Sequence, residues 1–183
     1  MAVLRAYACW VFPHPSTTQT EMTAPIILRP EPLTSQVFSP YGQVLETQGV
    51  KPVVINHGNT ERFGNLADVS LGDGGQGQIS IYRSRPIELP FKIRLLERHP
   101  LASQAFYPLH QRPFPVIVAS AMTCEALRVF MTNGHQGVNI RKGTWHHFQL
   151  TLGQESDYIV FDRRGDGDNC EETWLEEEVY LDL

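Results

Sequence analysis

Two short segments, roughly forty residues apart, each place acid, base or amide side chains beside a run that reads as a β-strand. The first reads Glu97-Arg98-His99-Pro100 and continues into Ser103-Gln104-Ala105-Phe106. The second reads Gly137-Val138-Asn139-Ile140 and continues through Arg141-Lys142-Gly143-Thr144-Trp145-His146-His147. Glu97, His99 and His146 can exchange protons near neutral pH, and a desolvated Lys142 could join them. Glu97 and His99 are two apart, so a regular strand points both to one face, and Gln104 can follow them there. His147 alternates away from His146 and is left out of the set. Two such strands meeting across a small barrel would bring Glu97, His99, Gln104 and His146 to one interior spot, the usual character of a ligand site. The same four also read as satisfied polar groups of a barrel interior.

The elements that must position them are strands. Prolines at 30, 32, 40, 52, 86, 90, 100, 108, 113 and 115 leave little room for long helices. Short β-branched or aromatic runs recur at Ile26–Leu28, 42–46, Val53–Ile55, 78–83, 89–97, 103–109, 114–119, 127–132, Gly137–Ile140, 144–150, 157–162 and 179–181. Turn residues separate them, as in Gly72-Asp73-Gly74-Gly75, Asn133-Gly134 and Gly165-Asp166-Gly167. One short helix is expected over Ser35–Phe38, capped by Thr34, and a second helical turn over 65–69. The expected fold is all-β, a barrel, sandwich or jelly roll with one or two short helices.

Composition narrows the class. The 183 residues suit one domain, with 42% hydrophobic residues for a core and only 19% charged ones. A formal charge of -5 and the lack of any basic run argue against nucleic acid as a partner. The sequence holds no stretch of about 18 apolar residues, so no membrane partner is expected. Cys9, Cys124 and Cys170 are odd in number and form no Cys-x-x-Cys, which fits reduced thiols in the cytoplasm. The acidic surroundings of Cys170 should raise its pKa. Residues 1–21 read as a loose N-terminal extension, and 22–183 as the domain. The acidic run from Glu171 to Glu178 is read as a solvated face or an edge strand.

The spacing Glu97-x-His99, then Gln104, resembles the first metal motif of the cupin superfamily, with Glu97 and Gln104 at positions more often His and Glu. Gly143 and His146 match the end of its second motif, where Arg141 replaces a proline. From about Ile27 to Leu183 the chain also resembles the ureidoglycolate lyase family. The strings that carry this are Tyr41-Gly42 with Val44 and Glu46, Ile55-Asn56 with Gly58, Glu61-Arg62 before Leu66-Ala67, and Ile79-Ser80-Ile81 with Arg83. Glu97-Arg98-His99-Pro100-Leu101, Gln104-Ala105-Phe106, Gln136-Gly137-Val138-Asn139, Trp145-His146-His147 and Asp168-Asn169-Cys170 continue the match. Phe148 departs from it, standing where the family often has proline.

The resemblance implies a cupin-like β-barrel, a cytoplasmic homodimer, and cleavage of (S)-ureidoglycolate to glyoxylate and urea in allantoin degradation. It also admits a divalent metal such as nickel, held by His99, Gln104, His146 and Glu97. That elimination needs a base for the hydroxyl proton, an acid for the departing nitrogen and a grip on the carboxylate. Lys142, His146, His99 and Glu97 are the acid-base candidates, with Glu97 suited to act as acid or to orient His99. Arg83, then Arg62, are the candidates to fork onto the carboxylate. Ser80, Asn56 and Gln104 suit the urea amide. Two other readings stay open: a metal-dependent cupin enzyme of different chemistry, and a non-enzymatic cupin that binds a small carboxylate.

Overall fold

The computed structural model describes residues 24–183. The expected extension over residues 1–21 lies outside them. The strands are β1 (Ile26–Leu28), β2 (Glu31–Pro32), β3 (Gly42–Leu45), β4 (Val53–Ile55), β5 (Thr60–Arg62), β6 (Gln76–Ser84) and β7 (Phe91–Arg98). They continue with β8 (Gln104–Pro108), β9 (Pro115–Ala119), β10 (Leu127–Met131), β11 (Gly137–Ile140), β12 (Trp145–His146), β13 (Ser156–Arg164) and β14 (Glu171–Leu181). Among the described residues the single α-helix, α1, is one turn over Ser35–Phe38. Thr34 caps it by accepting from the Val37 amide at 3.3 Å.

Two sheets make the body. One has seven strands in the order β1-β14-β7-β12-β9-β10-β2, and the other five in the order β3-β11-β8-β13-β6. β4 and β5 form a separate two-stranded unit. The expected all-β, cupin-like architecture is what the chain adopts.

Strand alternation explains how the seven-stranded sheet supports two cores. β9 is buried along its whole length, as a strand packed on both faces must be. Val116 and Val118 enter the core between the sheets, with Phe106, Val138, Tyr158 and Val160. Ile117 and Ala119 turn to a second core with Ile93, Leu96, Leu150 and Val179. α1 plugs one end of the first core, because Phe38 sets its ring edge-on to Phe130 at 5.5 Å.

Some expected elements differ. Residues 65–69 form no helix: Asn65 sits at φ 59, in the left-handed region that interrupts an α-helical run. The expected strand over 144–150 pairs only at Trp145–His146, and Phe148 turns outward, 46% exposed. The acidic run does form the first part of β14, exposed and paired with β7 alone, as a solvated edge segment; only Val179–Leu181 is flanked on its other side, by β1.

His147 follows β12 into the barrel wall. Its ring meets Phe91 edge-on at 5.5 Å, and its Nδ1 donates to the Phe148 carbonyl at 3.1 Å. Burial pushes its pKa down to about 4, from an ordinary 6.5. A depressed histidine pKa means that the unfolded chain takes up this proton first as pH falls. The neutral imidazole therefore supports folding above pH 6.5, and that support is lost as pH drops towards about 4, on the order of 3 kcal/mol in total. Urea unfolding at pH 7 and at pH 4.5 should show this drop, and His147→Gln should remove most of it. An equal drop in both proteins would refute the assignment.

Candidate active site

β7 and β12 are antiparallel neighbours, with Glu97 directly opposite His146. On one face of this pair His146 shares its row with Val118 of β9, which faces the core between the sheets. On the other face Trp145 packs against the second core, and the Arg98 guanidinium covers its ring at 4.5 Å. Glu97 Oε1 thereby comes to 3.5 Å from His146 Nε2, with the His146 side chain only 1% exposed.

His99 follows directly after β7. Its ring centroid lies 5.2 Å from that of His146. Its Nδ1 meets the Asn169 carbonyl at 2.5 Å, and His146 Nδ1 meets the Thr144 carbonyl at 2.9 Å. A carbonyl oxygen only accepts, so each Nδ1 carries a proton, and Nε2 is the ring atom left to meet Glu97 or a ligand. Both Nε2 atoms are buried without a hydrogen-bond partner, and so are Gln104 Oε1 and Asp162 Oδ1. Unpartnered buried polar atoms cost about 1–3 kcal/mol each, so four near one cleft are the mark of a candidate ligand site.

Glu97 balances two opposed effects. Burial would raise its pKa, but the contact with His146, with His99 and His147 beyond, outweighs burial and holds it below the ordinary value. At neutral pH the site therefore has a carboxylate against two imidazoles. Glu97, His99 and His146 offer three ligand atoms within 4.8 Å of one another. Two imidazole Nε2 atoms, each with Nδ1 fixed by a carbonyl, and one carboxylate suit a borderline divalent metal.

The adjoining cleft, about 440 Å³, is lined by Tyr82, Glu97, His99, Ser103, Gln104, Phe148, Asp162, Arg163, Asn169 and Cys170. Gln104 comes from β8, in the opposite sheet from Glu97 and His146. The two segments do converge from distant parts of the chain. A larger groove, about 850 Å³, runs past Arg29, Leu33, Met131 and Leu183. It has no imidazole, and its Glu46 and Arg29 are held by Gln136 and by Asp182 and the chain end. The smaller cleft is the one with chemistry.

Several expected site residues lie elsewhere. Arg83 is on the outer face of β6, forked onto Asp157 at 2.8 and 2.9 Å. That hydrogen-bonded pairing pushes its pKa above the usual range. It is a surface ion pair rather than a carboxylate grip in the cleft. Arg62 and Asn56 are exposed on the β4–β5 unit, and Asn56 Nδ2 donates to Thr60 Oγ1 at 3.2 Å. Lys142 is exposed in the turn before β12. The desolvation that would make it a base near neutrality is missing. Ser80 alternates with Ile79 and Ile81 and shares the face of Tyr82, a cleft residue.

The structure also supplies residues that the spacing did not reveal. Among the described residues, Arg163 is the only Arg or Lys lining the cleft. Its guanidinium is held by the carbonyls of Leu71 at 2.9 Å and Asp73 at 3.3 Å. Asn169 orients His99 through its carbonyl, and its side-chain oxygen accepts from the Leu101 amide at 2.9 Å. Cys170 stands at the cleft beside Glu97, and burial followed by the charges of Glu97 and Glu172 raises its thiol pKa, as expected.

Comparison with known proteins bears on the whole chain. A family model described as ureidoglycolate lyase matches residues 25–182. A ureidoglycolate lyase of Burkholderia mallei (strain NCTC 10229) is 50% identical over 154 residues, covering 82% of this chain and 91% of that protein. Ureidoglycolate lyases of Pseudomonas entomophila (strain L48) and Pseudomonas aeruginosa (strain LESB58) are 45% and 44% identical, each match covering 84% of this chain and 94% of the relative. With a family match along nearly all the described residues and relatives similar over most of their own length, this chain belongs to the ureidoglycolate lyase family.

Proposed function

We propose that this protein is a ureidoglycolate lyase, an enzyme that splits (S)-ureidoglycolate into glyoxylate and urea in allantoin degradation. Family membership supports the reaction, and the observation that carries its siting is the pair of buried Nε2 atoms beside Glu97. The substrate carbon bears a hydroxyl, a carboxylate and a urea nitrogen. His99 Nε2 takes the hydroxyl proton. His146, acting as the imidazolium beside the Glu97 carboxylate, delivers its Nε2 proton to the departing nitrogen, and the proton taken up by His99 is passed back to it. As the C–N bond breaks, the hydroxyl carbon becomes the aldehyde of glyoxylate, and urea leaves neutral. Gln104, which lines the cleft, meets the urea amide, with Ser80, on the face of Tyr82, as the second candidate. Arg163 replaces Arg83 and Arg62 as the group to hold the carboxylate. The protein acts as a cytoplasmic homodimer on this reading. Among the described residues no helix is long and apolar enough to cross a membrane.

A divalent metal is the second reading, favoured by the three convergent ligand atoms. Glu97, His99 and His146 would hold it, with Gln104 a weaker neighbour, and it would supply Lewis-acid polarisation of a substrate oxygen. The two readings assign different duties to the same imidazoles.

Incubation with racemic ureidoglycolate should yield glyoxylate and urea in equal amounts from one enantiomer. Ammonia in place of urea would overturn the lyase reading in favour of amide hydrolysis. Substitution separates the residues. His146→Ala and His99→Ala should each lower kcat by a factor on the order of 100 or more, with the circular dichroism spectrum intact. Lys142→Met and Arg83→Gln should stay within about threefold of the wild type. Loss of activity in Lys142→Met would restore the amine as base. Chelation followed by metal analysis decides the second reading: stoichiometric ion in the purified protein, with kcat lost on its removal, makes the metal essential. Full activity in metal-free protein leaves the work to the side chains.

A further inference from the structure

The inner face of the five-stranded sheet changes character at one row. Phe106 and Val160, opposite one another on β8 and β13, belong to the core between the sheets. One row farther along that face, the same alternation presents Gln104 and Asp162. Gln78 of β6 stands opposite Asp162 on its other side. Gln104 and Asp162 both line the cleft. The apolar core thus ends where the cleft begins, and it ends in two oxygen-bearing side chains.

Neither side chain has all its oxygens satisfied. Gln104 Oε1 and Asp162 Oδ1 are buried without a hydrogen-bond partner. The other oxygen of Asp162 has a donor, because Tyr82 Oη donates to Oδ2 at 3.5 Å. Burial, and after it the Asp162 carboxylate, raises the pKa of Tyr82, so the phenol keeps its proton and stays a donor. Its ring is set edge-on to Phe106 at 6.2 Å. Asp162 is therefore held by one oxygen and open at the other. A carboxylate and an amide oxygen only accept, so two open acceptors on one wall call for a ligand that brings N–H or O–H donors to it.

The substrate has such donors to spare. Proton transfer falls to His99 and His146, which come from the seven-stranded sheet and the turn after β7, and the carboxylate goes to Arg163. The donors still unmatched are those of the ureido end, above all its terminal –NH2.

We propose that Asp162 is a specificity-determining residue, whose Oδ1 accepts from the terminal –NH2 of the ureido group. The inference deepens the reading of the cleft given above and rests on it. Gln104 Oε1 takes a second N–H of the same group. A methyl at that end would leave the acceptors unpaired, and a carboxylate would meet Asp162 as a like charge. Asp162 thereby sets the direction of an anionic substrate, with its carboxylate towards Arg163 and its neutral end towards the open oxygens. A site built to hydrogen-bond an N–H rejects the analogue that lacks it far better than an apolar pocket rejects a change of size.

Two stable compounds isolate that contact. N-Carbamoylglycine and N-acetylglycine share a carboxylate and an amide and differ at the far end, –NH2 against –CH3. Both lack the hydroxyl, so neither can be split. In titration calorimetry the wild type should bind N-carbamoylglycine at least about tenfold more tightly. Asp162→Leu should cut this preference to less than about threefold, with the circular dichroism spectrum intact and the urea midpoint equal or higher, since a hydrocarbon replaces an unpartnered oxygen. Asp162→Asn, which keeps the shape and removes the charge, should fall between the two and serves if the leucine form does not fold. With ureidoglycolate itself, Asp162→Leu should raise KM more than it lowers kcat, because the terminal amide takes no part in bond breaking.

Equal binding of the two compounds by the wild type would overturn the assignment, as would a preference undiminished in both variants, or a fall in kcat at unchanged KM. The two readings separate cleanly. Release of glyoxylate and urea without the preference overturns Asp162 alone. The preference, lost in Asp162→Leu, without any release of glyoxylate overturns the lyase reading and supports Asp162 as the ureido contact.

Discussion

The cross-strand contact of Glu97 with His146 is the constraint on which the rest of the site depends. β12 is only two residues long, yet it fills the gap between β7 and β9. Its register decides which of two large polar-capable rings faces the core between the sheets. A slip of one residue would turn Trp145 inward and His146 outward, because side chains alternate with every residue. Arg98 opposes that slip, since its guanidinium over Trp145 holds the indole on the far face. The same two adjacent pairs thus set the carboxylate against the imidazole on one side and the cation against the indole on the other.

The turn before β12 fixes where that short strand starts. Gly143 adopts φ +76, the left-handed region that suits glycine, and its amide donates to the His99 carbonyl at 2.9 Å. Arg141 anchors the other side of the turn, donating to the carbonyls of Pro40 at 2.8 Å and Ser39 at 2.9 Å. Where the cupin spacing has proline, this chain uses a guanidinium to pin the same loop. Such a pin locates His99 and His146 together, as one glycine amide ties the backbone of the first to the turn that presents the second.

The part of the site legible in the sequence was the part governed by local alternation. Glu97 and His146 reach one face because each sits in a regular strand, and Gln104 opens a third strand on the opposite wall. Arg83 lies away from the cleft for a reason also present in the pattern. Arg83 shares parity with Ile79 and Ile81, while Ser80 and Tyr82 share the other face, so a regular strand turns Arg83 and Ser80 to opposite sides of the sheet. Lys142, Arg62 and Asn56 were harder to judge, because exposure in a turn or hairpin depends on what the fold lays over it. Asn169 was out of reach of spacing: it meets His99 across 70 residues, through a main-chain carbonyl that any residue type could supply. The all-β architecture was legible from proline punctuation and short β-branched runs. The two-residue β12 was not, because its boundaries come from Phe148 leaving the sheet.

Why the site keeps so much polarity inside a barrel is an energetic question. A core position with an unpartnered polar atom is less stable than one filled by a hydrocarbon of the same shape. Three such atoms, on His99, His146 and Gln104, could be replaced by Leu or Met with a gain in folding free energy. Their surroundings do the opposite of relieving the cost, since each Nδ1 is tied to a carbonyl and the ring is thereby held with Nε2 turned inward. Glu97 also stays ionised in spite of burial, because His146 stands beside it. An arrangement that spends hydrogen bonds to hold two ring nitrogens and a carboxylate in one direction makes sense only if something binds there, either the substrate or an ion that meets it. Preorganisation of this kind is what lowers a proton-transfer barrier, since the groups need not reorient when the charge moves.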